Sequence, residues 1–148
     1  LLTDYWLCRT VDVGGVKAAY EYMRNHPNIL RFDLTADRLY AGGMRDVDYW
    51  GHYDIIETDS STPYQFSLQA AIWNRKLMLS LLKNNTSPWD VEIYTSVPDH
   101  MRVVGTRQYP VRYANAILKG KIDRDQLRLI PSEHIGVVSG AIPEFVKT

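Results

Sequence analysis

The chain has 148 residues, of which 45% are hydrophobic and 23% charged, and its 17 basic and 17 acidic residues cancel. This length and composition predict one globular domain over residues 1–148, and the balanced charge argues against nucleic acid as a partner. The single cysteine, Cys8, excludes an internal disulfide. The sequence contains no run of about 18 apolar residues, so no membrane span is predicted. These features favour a cytoplasmic protein.

The first part of the chain alternates apolar strands with one amphipathic helix. Residues 1–8 predict a short strand. A helix follows Asp12, and residues 16–24 are its clearest part, because Gly14 and Gly15 weaken the first turn. Residues 29–34 predict a second strand. Residues 35–53 show no steady period, and we expect a long loop there, with room for one turn of helix. Residues 54–57 predict another short strand.

The middle of the chain has the clearest pattern. From residue 64 to 73, polar Gln65, Ser67 and Gln69 alternate with apolar residues, which predicts a half-buried strand. Asn74 then reads as the N-cap of a helix whose apolar positions lie on one face.

A second helix follows a polar loop. Ser87 and Pro88 suit an N-cap and a first helical position, so a helix is predicted from there to about residue 96. Asp90 lies in its first turn, and Glu92 follows shortly after.

The last part of the chain predicts a strand pair, residues 101–104 and 109–113, around Gly105 and Thr106, and a short helix capped by Asp123. Strands that alternate with helices indicate an α/β fold, a mixed sheet flanked by helices.

The segments SLQAAIW and SPWDVE, with the short helix between them, resemble the acceptor side of bacterial and phage glycosyltransferase-like proteins of the GT-A type, which use nucleotide-sugar donors. The resemblance is best from about residue 63 to Glu92, and a weaker match extends to LLTDYWL at the front. It implies a partial GT-A-like domain that functions in polysaccharide biosynthesis. The expected partners are a nucleotide-sugar donor and a glycan acceptor.

The resemblance implies that Glu92 is the catalytic base, with Asp90 as the second candidate. An inverting transferase needs a carboxylate to take a proton from the attacking hydroxyl. We therefore expect Glu92 to line an open cleft beside the strand that ends at Trp73. The alternative is structural, because acids are common in the first turn of a helix.

Asp4 is the predicted donor-side residue. In GT-A enzymes an Asp-x-Asp motif at a strand end holds the donor diphosphate through Mn²⁺ or Mg²⁺, and carboxylate oxygen suits such hard cations. Here Asp4 is the one acid in LLTDYW, so the motif is incomplete. A plain strand-end turn explains Asp4 equally well.

Gln69, Trp73 and Trp89 are the predicted substrate-binding residues, since the resemblance places their segments beside the acceptor. Amide groups both donate and accept hydrogen bonds, which suits sugar hydroxyls. The alternative is that Gln69 pairs within the sheet and Trp73 belongs to the core.

The leading hypothesis is a glycosyltransferase-like domain. Because only three residues precede Asp4, we expect either the C-terminal portion of a longer transferase or a trimmed relative without activity. The alternative is a non-catalytic binding or assembly module, of phage origin, that retains the transferase-like core and forms an oligomer. A third hypothesis assigns phosphate contacts of a nucleic-acid-processing fold to Arg102, Arg107 and Arg112.

Overall fold

The computed structural model describes residues 5–118 and 121–132. They belong to two compact units, one formed by residues 12–110 and one by residues 1–11 with 111–148. In chain order the elements are β1 (Tyr5–Leu7), α1 (Val13–Asn25), β2 (Ile29–Asp33), α2 (Asp37–Tyr40), β3 (Arg45–Trp50), β4 (Tyr53–Thr58), β5 (Ala71–Trp73), α3 (Arg75–Leu81), α4 (Pro88–Tyr94), β6 (Arg102–Thr106), β7 (Tyr113–Asn115), β8 (Ile117–Leu118), β9 (Lys121–Ile122) and α5 (Arg124–Leu127).

A mixed sheet of five strands organises the larger unit, which confirms the predicted α/β class. Its strand order is β3-β4-β6-β2-β5. Strands β2 and β6 are parallel, with Phe32 opposite Val104, and the other pairs are antiparallel. Every residue of β2 is buried, so this strand supplies the centre of the core.

Helix α1 packs on the sheet through one aromatic side chain. The Tyr22 ring makes edge contacts with Phe32 and Trp50, with centroid distances of 6.2 and 5.7 Å. The first turn of the helix forms despite Gly14 and Gly15, because Asp12 is its N-cap and the Asp12 carboxylate accepts a hydrogen bond from the Gly15 N–H at 3.0 Å.

Helices α3 and α4 close the core near β2. Six buried side chains form this part of the core, and they come from two strands, helix α4 and two irregular stretches: Leu30, Phe66, Val91, Val97, Met101 and Val103. Partly buried Leu77, Met78 and Leu81 of α3 pack against them. Both helices begin at the predicted caps, Asn74 and Ser87, although α4 ends at Tyr94 rather than near residue 96.

The predicted long loop over residues 35–53 is wrong because strand β3 lies within it, whereas the four-residue α2 agrees with the single helical turn allowed there. Strand β3 pairs with β4 through a two-residue turn, in which Gly51 and His52 both have positive φ angles, 55° and 74°. Most of β3 is exposed at the edge of the sheet, so its residues carry no hydrophobic alternation.

The strand predicted for residues 64–73 is also mostly wrong, since only Ala71–Trp73 pairs with the sheet. Tyr64 has a φ of 58°, and its carbonyl accepts a hydrogen bond from the Ser67 N–H at 3.1 Å, which turns the chain. The alternate polar residues Gln65 and Ser67 are buried and hydrogen-bonded, not exposed on one face of a strand.

The predicted pairing of residues 101–104 with 109–113 does not occur. Strand β6 lies between β2 and β4, and β7 pairs with β1 in the smaller unit. The Tyr109 N–H donates to the Thr106 carbonyl at 3.2 Å, and Pro110 has no N–H to extend a ladder.

The smaller unit contains two antiparallel strand pairs, β1 with β7 and β8 with β9. Helix α5 begins at its predicted cap, where the Asp123 carboxylate accepts hydrogen bonds from two backbone N–H groups. The buried centre of the smaller unit is formed by Ala114, Ala116 and Ile130. In the described parts of both units, every helix is too short or too polar to traverse a lipid bilayer.

Candidate functional site

Glu92 projects from α4 onto the irregular segment that precedes β5. Its Oε1 accepts a hydrogen bond from the Leu68 N–H at 2.6 Å, and the residue is half-buried. Within residues 5–118 and 121–132, no cationic side chain forms a salt bridge with it. The carboxylate is therefore held in place by a backbone group rather than neutralised by a cation.

Asp90 is engaged in the cap of the same helix. Its Oδ2 accepts hydrogen bonds from the Ser87 N–H at 2.9 Å and from the Ser87 hydroxyl at 2.6 Å, while the Asp90 N–H donates to Ser87 Oγ at 3.2 Å. These bonds, from the hydroxyl first and the backbone second, lower the pKa of Asp90. A carboxylate with a lowered pKa is a weaker base. The bonds of the cap therefore disfavour Asp90 as a proton acceptor.

Arg38 holds the segment that presents the Leu68 N–H. Its Nη1 donates to Gln65 Oε1 at 2.7 Å and to Thr58 Oγ1 at 2.8 Å, and its Nη2 donates to the Tyr64 carbonyl at 3.0 Å. The backbone N–H of Arg38 donates to Asp33 Oδ2 at 3.1 Å. One buried guanidinium thus joins α2 and β4 to residues 64–65.

Gly105 makes room for this guanidinium. A Cβ at that position of β6 would lie 3.0 Å from Cγ of Arg38 and 3.1 Å from its Cβ. Because such contacts are tighter than ordinary packing, the absence of a side chain at Gly105 lets the Arg38 stem pass close to the strand.

Asp37 connects the same segment to a second buried arginine. Its Oδ2 accepts a hydrogen bond from the Ser67 hydroxyl at 2.9 Å and lies 3.6 Å from Arg31 Nη2. Arg31 is fully buried, its Nη2 lies 3.5 Å from Asp33 Oδ1, and its guanidinium carbon lies 5.6 Å from the centre of the Trp73 ring. We call Arg31, Asp33, Asp37 and Arg38 the buried charge cluster.

Burial, and then the neighbouring Asp33 carboxylate, raise the pKa of Asp37. Between the ordinary aspartate pKa and this raised value, the native state binds a proton more tightly than the unfolded chain does. The contribution of Asp37 to the free energy of unfolding therefore falls as the pH rises through that range.

We expect Asp37→Asn to remove this contribution, because asparagine keeps an oxygen that can accept the Ser67 hydrogen bond but does not titrate. The free energy of unfolding of the variant, relative to the native chain, should increase as the pH rises. Urea denaturation at a series of pH values measures it, with Asp125→Asn at an exposed position as the control. A constant difference at all pH values would contradict the expectation.

The three predicted substrate-binding residues lie in different environments. Trp73 is half-buried against Phe66, with a centroid distance of 4.7 Å, which fits a core residue at least as well as a substrate contact. Gln69 is half-buried, and its N–H is 3.4 Å from Ser67 Oγ. Trp89 is 70% exposed. Trp89 is therefore the most exposed of the three residues, and its ring is open to a ligand.

A groove of about 510 Å³ lies between α3 and α4. Its wall is mixed, with more apolar than polar surface: Leu81, Val91 and Tyr94 line it together with the polar residues Ser80, Lys83, Thr86, Asp90, Thr95 and Ser96. Glu92, the predicted base, is not one of its lining residues.

The predicted donor-side residue, Asp4, lies outside the described residues. Among the residues that are described, no group of three or more His, Cys, Asp or Glu side chains is placed to hold a metal ion. The Mn²⁺ or Mg²⁺ site with Asp4 as ligand therefore stays a prediction.

Two of the three arginines considered for phosphate contacts are paired with acids. Arg102 donates through Nε and Nη2 to both carboxylate oxygens of Glu57, at 2.9 and 3.2 Å. Arg107 donates to both oxygens of Asp46 at 2.7 Å. These bidentate pairs account for both guanidinium groups without a nucleic acid.

Sequence reasoning missed the buried charge cluster. A signal was present, because Arg31 and Asp33 interrupt an otherwise apolar strand at positions i and i+2, which share one side of a strand. Opposite charges inside a buried strand must be paired to be tolerated. The sequence does not indicate their partners on α2, because residues 35–53 show no steady hydrophobic period.

Comparison with protein-family models, with curated proteins and with solved structures finds no match to this chain.

Proposed function

We propose that this chain is a glycosyltransferase-like domain of GT-A type that transfers a sugar from a nucleotide-sugar donor to a glycan acceptor. The observation that carries the proposal is the environment of Glu92. Its carboxylate is half-buried, accepts a backbone hydrogen bond from Leu68, and forms no salt bridge with the residues described. These are the properties needed in a base that must be positioned but still able to take a proton.

In the proposed reaction, Glu92 takes the proton of an acceptor hydroxyl as that oxygen attacks the anomeric carbon of the donor. The bond between the anomeric carbon and the diphosphate oxygen breaks, and the nucleoside diphosphate leaves with the electron pair. A divalent cation, when bound, would supply positive charge to the departing diphosphate, with Asp4 as its predicted ligand.

Oxygen Oε1 of Glu92 faces the Leu68 N–H at 2.6 Å, which leaves Oε2 for the acceptor proton. The buried charge cluster supports this arrangement. Through Gln65, Tyr64 and Ser67 it holds both the start and the middle of the segment that carries the Leu68 N–H. A base held in this way needs little reorganisation when the acceptor arrives.

Calorimetric titration with nucleotide sugars in the presence of Mn²⁺, followed by an assay for donor hydrolysis and transfer, tests the proposal. We expect heat with at least one donor and release of its nucleoside diphosphate. No heat with any donor, together with no released nucleotide, would contradict a catalytic role.

The second candidate is a non-catalytic binding or assembly module. The exposed apolar side chains of α4 favour it, since Trp89, Ile93 and Tyr94 are 70%, 51% and 74% exposed. Size-exclusion chromatography with light scattering distinguishes the two. A stable oligomer without donor affinity would support an assembly role, and a monomer that binds a donor would count against it.

A further inference from the structure

We propose that the groove between α3 and α4 binds a neutral oligosaccharide, as a remote subsite for the acceptor of the proposed transferase. The role of this oligosaccharide as an acceptor substrate rests on the proposed function. The binding of the oligosaccharide itself is argued from the groove alone.

The polar lining of the groove is rich in hydrogen-bond acceptors. The Ser80 hydroxyl donates to the Leu77 carbonyl at 2.7 Å, and the Thr86 hydroxyl donates to the Lys83 carbonyl at 2.8 Å. Since each hydroxyl has one proton and two lone pairs, both retain acceptor capacity. The ionised carboxylate of Asp90 has no proton to donate and can only accept hydrogen bonds. A ligand with many O–H donors suits this lining, and a sugar chain has them.

The charges of the groove favour a neutral ligand. Lys83 and Asp90 both line it and have opposite signs, so neither an anion nor a cation meets a uniform field there. A neutral sugar chain can donate to the carboxylate and accept from the ammonium group.

Tyr94 supplies an aromatic ring. It lines the groove and is 74% exposed, so most of its surface is open to a ligand. It is four residues after Asp90, and such pairs lie on the same face of a helix. An aromatic body beside polar groups provides an apolar surface for the C–H face of a sugar ring and hydrogen bonds for its hydroxyls.

The positions on α4 indicate that the ligand must be longer than one sugar. With 3.6 residues per turn, Glu92 and Asp90 lie on nearly opposite sides of the helix, about 10 Å across. The exposed Trp89 and Ile93 lie between them around the helix. A chain with its reacting hydroxyl at Glu92 can reach the groove across this exposed face, a distance that requires several linked sugars.

Binding is measured without any donor, by NMR titration and calorimetry. The probes are glucose and N-acetylglucosamine, and their linear oligomers maltopentaose, cellopentaose and chitopentaose. We expect at least one oligomer to bind and to shift the resonances of Thr86, Asp90 and Tyr94, and its monosaccharide to bind far more weakly.

Tyr94→Ala should weaken oligomer binding roughly tenfold, as expected for the loss of one aromatic contact. The matched control is Tyr20→Ala, which removes an exposed tyrosine from α1 and should leave binding unchanged. The shift mapping on the native chain needs no variant, so it decides the question even if Tyr94→Ala folds poorly.

Three results would overturn the inference: no oligomer binds, the shifts lie away from the groove, or both tyrosine variants behave alike. A dimer that Tyr94→Ala dissociates would also overturn it, since a second copy would then occupy the groove. Oligosaccharide binding without any transfer reaction would leave the groove assignment standing and remove the proposed transferase.

Discussion

Replacing Arg38 with methionine should lower the free energy of unfolding by about 3–5 kcal/mol, the range for breaking a buried charge pair. Arg38 is 2% exposed and its guanidinium donates to Gln65, Thr58 and the Tyr64 carbonyl. Methionine fills much of the same volume but donates nothing. The variant would leave these buried oxygens without their donor and Asp33, which is fully buried, with one charge partner fewer.

Urea denaturation followed by circular dichroism measures this change, and Arg128→Met is the control. Arg128 forms an exposed pair with Asp125, at 3.3 Å, and such surface pairs contribute little to stability. We expect no measurable change in that variant. A loss below about 1 kcal/mol in Arg38→Met would mean that apolar packing replaces the buried charge without a penalty.

The double variant Asp33→Asn with Arg38→Met gives a sharper test of the pairing. Asparagine can still accept the hydrogen bonds that Thr35 donates to Asp33 Oδ1 through its N–H and hydroxyl, at 2.9 and 2.7 Å. Without the buried negative charge, the loss of Arg38 should cost less. The double variant should therefore be more stable than the sum of the two single losses implies.

Glu92→Gln should reduce the turnover number for sugar transfer by about 10²–10⁴-fold, the usual contribution of a general base. Glutamine retains a carbonyl oxygen for the Leu68 N–H, so the segment and the helix should keep their positions. KM for the acceptor should change little, because the variant removes a proton acceptor rather than a binding contact. Initial-rate measurements over a range of acceptor concentrations separate the two constants.

Glu21→Gln is the matched control for this experiment. Glu21 is an exposed residue of α1, and its conversion to glutamine makes the same chemical change away from Glu92. Transfer at an equal rate in the native chain and in Glu92→Gln would exclude Glu92 as the base. If activity is instead lost in Asp90→Asn and kept in Glu92→Gln, the cap carboxylate is the base.

The helix starts could be predicted from the sequence because their causes are local. Asn74, Ser87 and Asp123 each accept a hydrogen bond from a backbone N–H two or three residues further on, so a short window contains both partners. Glu92 could likewise be placed on α4. Its contact with the Leu68 N–H could not, because that bond joins residues 24 positions apart.

The sequence by itself determined the α/β class, the position of strand β2 and the caps of three helices, because these depend on hydrophobic period and on neighbours a few residues away. Only the tertiary structure decided the conformation of residues 64–70. There the alternation typical of a strand is overridden by two hydrogen bonds: Arg38 donates to Gln65, 27 positions further on, and Asp37 accepts from Ser67, 30 positions further on. Buried polar groups must find hydrogen-bond partners, and those partners become neighbours only after the chain has folded.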